Sequence, residues 1–212
     1  QGKLDEAAAA YRKAIEVDPK SGQSYVWLGD VLRRQKKLDE AVASYRKAIK
    51  LDPKLAAAHT NLGAALSDQE KLDEAIASYR KAIEINPKSA IAHSNLGIAL
   101  FKQKKLDEAI VCYSKSIELD PKLDNAHYHL GNALRDQGKL DEAITCYRKA
   151  IEFDAQNVLF YRSLGLLMGK LNRIEDAESY FRQAVALEAG NASDDFNLGV
   201  ALERQYRWDA AS

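Results

Sequence analysis

The sequence predicts an all-α protein built as an α-solenoid, a stack of antiparallel helix pairs, and three observations predict it. The phrase KLDEA begins at Lys3 and returns at Lys37, Lys71, Lys105 and Lys139, each copy 34 residues after the last. Self-similarity at a period of roughly 20–50 residues marks a repeat architecture. Within each period the apolar residues recur at helical spacing in two separate runs. A proline then closes period after period, at Pro19, Pro53, Pro87 and Pro121.

Residues 22–55 show the unit. Its first half places Tyr25, Leu28, Gly29 and Leu32 at i, i+3, i+4 and i+7, one stripe of a helix. Its second half gives Leu38, Ala41, Val42, Tyr45, Ala48 and Ile49 the same spacing. Asp39 and Glu40 fall near the start of that second helix, where negative charge suits the dipole. Asp52 precedes Pro53, and a residue before proline disfavours the α region, so the helix closes there. The same frame predicts a single array over 1–212, with full repeats at 22–55, 56–89, 90–123, 124–157 and 158–191. Residues 1–21 supply only a second helix, and 192–212 a first helix plus the opening of another. The chain is therefore expected to be cut from a longer array, with its uncapped terminal helices, and Trp208, open to end-to-end self-association. The turns FDAQN and LEAGN lack the proline, and Met168-Gly169 and Arg173-Ile174 depart from the earlier copies, so the C-terminal repeats are expected to be looser.

Gly29 recurs at Gly63, Gly97, Gly131, Gly165 and Gly199. Glycine inside a helix costs about 1 kcal/mol against alanine, so its return points to a neighbour too close for a side chain. Ala41, with Ala75, Ala109, Ala143 and Ala177, reads the same way. The aromatic series Tyr11, Tyr45, Tyr79, Tyr113, Tyr147 and Phe181 is assigned to the core, because it lies on the apolar face at helical spacing.

Leu28-Gly29, Ala41, Tyr45, Ala48 and Pro53, repeated at 34, resemble the tetratricopeptide repeat. The resemblance covers essentially the whole chain. It implies a right-handed superhelix whose first helices line a concave groove that receives extended peptides or partner helices.

Composition excludes several function classes. The 31 basic and 31 acidic residues balance, which gives no general attraction to nucleic acid or to an anionic membrane surface. No apolar run approaches the roughly 20 residues of a spanning helix. Cys112 and Cys146 occupy equivalent places in successive repeats, about a helix pair apart, too far for a bridge whose Cα atoms must lie within about 7 Å. They read as free thiols in a reducing, cytoplasmic setting. His59, His93 and His127 form a ladder at one repeat position, too widely spaced to share a metal ion, so it is assigned to packing. His129 points to a different helix face from His127. No phosphate loop, HExxH or nucleophile elbow is present, so neither catalysis nor a cofactor has a place in the sequence. A helical-repeat RNA code is disfavoured by neutrality and by the absence of regular base-reading side chains.

If the scaffold residues repeat, function belongs where exposed residues change. On the first helix of 22–55 the stripe opposite the core is Gln23, Val26, Trp27, Asp30, Arg33 and Arg34. Its counterparts include Asn61, then Ile91, Asn95, Ile98, Phe101 and Lys102, then Tyr128, Asn132 and Arg135, and lastly Arg162. The resemblance places this stripe in the groove. Asn61 and Asn95, with Asn197 later, resemble the asparagine ladder of O-linked N-acetylglucosamine transferases, and an amide that both donates and accepts can pair with a peptide backbone. Ile91, Ile98 and Phe101 form an apolar patch with Tyr128 beside it, and such patches anchor partners. The cations outnumber the acids on this stripe, which fits a partner that is apolar with some acidic residues. The Lys and Asn four apart that grip chaperone tails are missing, since Val26/Asp30, Thr60/Ala64, Ser94/Ile98 and Tyr128/Asn132 stand there. The expectation is a non-enzymatic interaction scaffold. The alternative is a substrate-recruiting array of a larger glycosyltransferase.

Overall fold

The computed structural model describes residues 2–209, with side chains for 2–204, and every element among the described residues is an α-helix. Trp208 lies outside the residues whose side chains are described. The chain divides into two compact units, residues 1–119 and 120–212. The first holds α1 (Gly2–Val17), α2 (Gly22–Arg34), α3 (Leu38–Leu51), α4 (Ala56–Asp68), α5 (Leu72–Ile85), α6 (Ala90–Lys102) and α7 (Leu106–Leu119). The second holds α8 (Asp124–Asp136), α9 (Leu140–Phe153), α10 (Val158–Lys170), α11 (Ile174–Leu187) and α12 (Ala192–Asp209). Within each unit every helix packs on the next, and α2 touches α4, α4 touches α6, and α10 touches α12. Each unit is thus an α-solenoid of helix pairs.

Local chemistry sets the ends. Ser21 and Ser89 cap α2 and α6 by accepting the backbone N–H of Ser24 and Ala92, and Asn157 caps α10 by accepting from Leu159. Acidic pairs open α3, α5, α7 and α9, where they face the positive end of the dipole. The turn between the helices of a pair needs one residue with a left-handed backbone. Lys36, Glu70, Lys104 and Asn172 adopt it at φ 62, 62, 63 and 58°, and Gly138 at φ 82°. Only Gly138 and Asn172 suit that conformation, so the other three carry strain.

Gly29, Gly63, Gly97, Gly131 and Gly165 each have a specific partner, whereas a Cβ on Gly199 would meet nothing within 4 Å among the described residues. A Cβ on Gly29, Gly63 or Gly97 would lie 2.6 Å from the ring of Tyr45, Tyr79 or Tyr113 in the same repeat. Ordinary carbon contacts lie near 3.5–4.0 Å, so the ring lies where a methyl would stand. Tyr45 is 0% exposed, and Tyr79, Tyr113, Tyr147 and Phe181 are also buried, as are the alanines of the Ala41 series. The aromatic series is core from Tyr45 onward, and Tyr11, on the first helix, is half-buried.

The KLDEA phrase carries the contacts between repeats in the first unit. Its aspartate accepts from the glutamine that ends the next repeat's first helix: Gln35 Nε2 to Asp5 Oδ1 at 2.7 Å, Gln69 to Asp39 at 2.8 Å, Gln103 to Asp73 at 2.7 Å. Its glutamate meets an arginine of the preceding repeat, in Arg12–Glu40, Arg46–Glu74 and Arg80–Glu108. These ion pairs are exposed and contribute about 0–1 kcal/mol each. They repeat with the scaffold and hold its register.

The histidine ladder fastens the proline turns. Nε2 of His59, His93 and His127 lies 3.1, 3.1 and 2.9 Å from the carbonyl oxygens of Pro53, Pro87 and Pro121. A carbonyl only accepts, so Nε2 carries the proton. In the turn without proline, Tyr161 stands at this position and its hydroxyl donates to the carbonyl of Ala155 at 3.2 Å. Among the described residues no three His, Cys, Asp or Glu side chains come together to hold a metal ion.

Candidate functional site

The first-helix stripe is narrower than the sequence reading expected. Val26 is 2% exposed, and Ser94, at the equivalent position, is also buried. Tyr128 shows why: its ring packs on Phe160 of the next first helix at 5.0 Å and on Tyr147 at 5.9 Å, so this position turns toward the neighbouring repeat. What stays open in the first unit is Trp27 with Arg34 on α2, a run of small residues on α4, and a stripe on α6.

On α4, Asn61 is already engaged. Its Nδ2 donates to Asp30 Oδ1 at 2.8 Å, and the same oxygen accepts the Tyr45 hydroxyl at 2.6 Å. Burial first, then this hydrogen bond to a carboxylate, pushes the Tyr45 phenol well above its usual range. Asp30 thus ties α2, α3 and α4 together and withdraws Asn61 from any ligand. One repeat on, Ala64 replaces Asp30. No carboxylate reaches Asn95, and its amide makes no hydrogen bond among the described residues.

Asn95 sits between Ile91 and Ile98 on one face of α6, with Lys102 completing the stripe at i+11. Ile91 is 61% exposed, Ile98 and Phe101 are half-buried, and Lys102 is exposed without an ion pair among the described residues. The Lys104 ammonium lies 6.0 Å from the centre of the Phe101 ring. Trp27 is 47% exposed, with one side of its ring against Tyr11 at 5.7 Å.

The expected basic character is smaller than the residue count implies. Arg33 pairs with Asp68 at 3.0 Å. In the second unit Arg135 pairs with Asp136 at 2.9 Å, and Asn132 accepts the Tyr147 hydroxyl at 2.8 Å. Arg162 makes a bidentate pair with Asp194, both contacts at 2.6 Å, and also reaches Glu188. Asp194 is 0% exposed, so Arg162 clamps α10 to the start of α12. These bonds raise its pKa further, with the Asp194 hydrogen bond as the largest cause. Arg33, Arg135 and Arg162 are thus neutralised by the protein itself, whereas Arg34, Lys102 and Lys170 have no ion pair among the described residues.

Both cysteines are free and half-buried. Burial raises the Cys112 thiol and lifts that of Cys146 to about 11, which keeps both largely protonated near neutrality. Among the described residues no helix is long and apolar enough to cross a membrane.

Comparison with known proteins agrees with this fold. A family model described as the cilia and flagella-associated protein 70 C-terminal domain, a tetratricopeptide-repeat model, matches residues 1–194. The crystal structure of MamA is similar at 30% identity and TM-score 0.69, covering 78% of this chain and 97% of MamA. YrrB, described as a TPR protein with an unusual peptide-binding site, shares the fold at 24% identity and TM-score 0.68, covering 94% of this chain and 100% of its own. PilF of Pseudomonas aeruginosa shares it at 22% identity and TM-score 0.79, covering 100% and 91%. No curated protein sequence matches. The chain belongs to the tetratricopeptide-repeat family, in the group described by the cilia and flagella-associated protein 70 C-terminal domain.

Proposed function

We propose that the chain is a non-enzymatic interaction scaffold whose first-helix face receives a peptide or partner segment. The observation that carries this reading is the α6 stripe, where an exposed isoleucine, an amide without an internal partner, a second isoleucine and an unpaired lysine line up on one face. Scattered surface apolar residues need no explanation, but an aligned set beside a free amide and a cation offers an extended chain three kinds of contact. YrrB lends support as a protein of this fold with a peptide-binding site. The partner is apolar with some acidic residues, and its contacts in the first unit are Trp27, Ile91, Asn95, Ile98, Phe101 and Lys102. The free thiols fit a cytoplasmic setting.

The test uses dodecapeptides selected on the intact chain from a random library. Ile98→Asp should weaken the selected peptides about tenfold or more, roughly 1.4 kcal/mol. Asn95→Ala should weaken them with no change in melting temperature, whereas Asn61→Ala should lower the melting temperature and leave affinity nearly unchanged. Wild-type affinity in both Ile98→Asp and Asn95→Ala would overturn the reading.

A further inference from the structure

In the second unit a crevice of about 380 Å³ opens between α10, α11 and α12, walled by Leu166, Ala177, Phe181 and Val200. We propose that this crevice is an anchor pocket that seats one bulky apolar side chain of a partner segment flanked by acidic residues. The inference rests on the scaffold reading above and names the chemistry of its partner.

Gly169 lines the crevice and explains why it exists. The same repeat position holds Arg33, Ser67, Phe101 and Arg135 in the preceding units. A side chain as large as these arginines or Phe101 would fill the space that glycine leaves. Unlike Gly29, Gly169 has no steric need to be glycine: a Cβ there would meet only the Ala177 Cβ, at an ordinary 4.0 Å. A helical glycine without a packing reason is an unfavourable choice, and here its consequence is an open apolar cleft. The volume lies in the lower part of the range, roughly 300–1,000 Å³, of sites that hold small ligands.

The lining also names what accompanies the apolar group. Leu166 is 52% exposed, so the wall presents apolar surface to solvent. Lys170 and Arg204 line the same crevice, are exposed, and have no ion pair among the described residues. They occupy the same position in successive repeats, on α10 and α12. Two such cations suit a partner that carries a carboxylate on each side of the apolar anchor, rather than one terminal carboxylate. Asn197, also in the lining, holds the position of Asn61, but Leu166 replaces the carboxylate that engages Asn61, so this amide faces the cleft unclaimed.

The probe is a fluorescein-labelled, C-terminally amidated octapeptide, Gly-Ser-Asp-Phe-Ser-Asp-Gly-Ser, titrated by fluorescence anisotropy at low ionic strength. The intact chain should bind it. Gly169→Phe, which installs the residue found at Phe101, should weaken binding about tenfold or more while the melting temperature is kept. Replacing the probe's phenylalanine by alanine should do the same. The Lys170→Glu/Arg204→Glu double variant, changed only at exposed positions, should also lose about tenfold and flatten the salt dependence, and it decides the matter if Gly169→Phe fails to fold. Wild-type affinity in the double variant or in folded Gly169→Phe would overturn the inference. So would equal binding of the alanine probe, binding only to a peptide with phenylalanine at a free C-terminus, or no binding at millimolar concentration. Each of these leaves the scaffold reading to the Ile98→Asp and Asn95→Ala variants of the other unit.

Discussion

Alanine at Gly63 and alanine at Gly169 are chemically the same change, and the structure gives them opposite signs. At Gly63 the new Cβ would stand 2.6, 2.8 and 2.9 Å from three ring atoms of Tyr79. The ring must retreat by about 1 Å to regain normal contact near 3.5–4.0 Å. It has nowhere to go, since Tyr79 is buried and Ala75 on the same helix is 0% exposed. Overpacking of this kind costs about 1–3 kcal/mol. The helix gains back at most about 1 kcal/mol from losing glycine, leaving a net loss of about 1–2 kcal/mol. At Gly169 the nearest atom is 4.0 Å away, so only the propensity gain remains. Because Gly169 lies in the last turn of α10, that gain is about 0.5 kcal/mol. Thermal unfolding followed by circular dichroism should show Gly63→Ala melting lower by about 4 °C and Gly169→Ala melting higher by about 1–2 °C. If both variants melt higher, the ring-against-glycine account of the repeat is wrong.

Glycine at Lys36, Glu70 or Lys104 should stabilise by about 0.5–1 kcal/mol each, and Gly138→Ala should cost about 1 kcal/mol, measured by urea denaturation; equal midpoints would refute the strain. Burial raises the phenols of Tyr45, Tyr79, Tyr113 and Tyr147 above their usual range, so the folded state binds more protons than the unfolded one above about pH 10. Stability should therefore be intact below that pH and fall as it rises further, with the share of the 295 nm absorbance owed to these four of the ten tyrosines growing only as helix is lost; ionisation of these phenols near pH 10 in the helical protein would contradict this. Arg162→Ala leaves Asp194 buried without its partner and should cost about 3 kcal/mol, against less than 1 for the exposed Arg46→Ala. Equal losses in the two would refute the clamp. Hydrogen exchange should be faster in residues 158–204 than in 56–119, and slower exchange there would remove the expectation of a looser C-terminal end.

Much of the fold was legible because helical spacing in sequence maps directly onto faces. The 34-residue period, the buried Tyr45 series and the forbidden Cβ at Gly29 all follow from residues within one repeat. What was not legible depends on how neighbouring repeats lean on each other. Val26 and Asn61 both look free on a helical wheel. The first is covered because its position faces the next first helix, and the second is claimed by Asp30, 31 residues upstream. The pairing of Gln35 with Asp5 is hidden for the same reason. Two features did leave a signal. A histidine follows each of Pro53, Pro87 and Pro121 by six residues, the reach of the observed hydrogen bond. Gly169 stands where the preceding repeats hold Arg33, Ser67, Phe101 and Arg135, the mark of the crevice.

The central claim is that partners dock on the first helices. Hydrogen exchange of the intact chain with and without a selected dodecapeptide tests it most directly. Protection concentrated in α2, α4 and α6, strongest around Ile91–Lys102, is the predicted result. Protection confined to the second helices α3, α5 and α7 would contradict it.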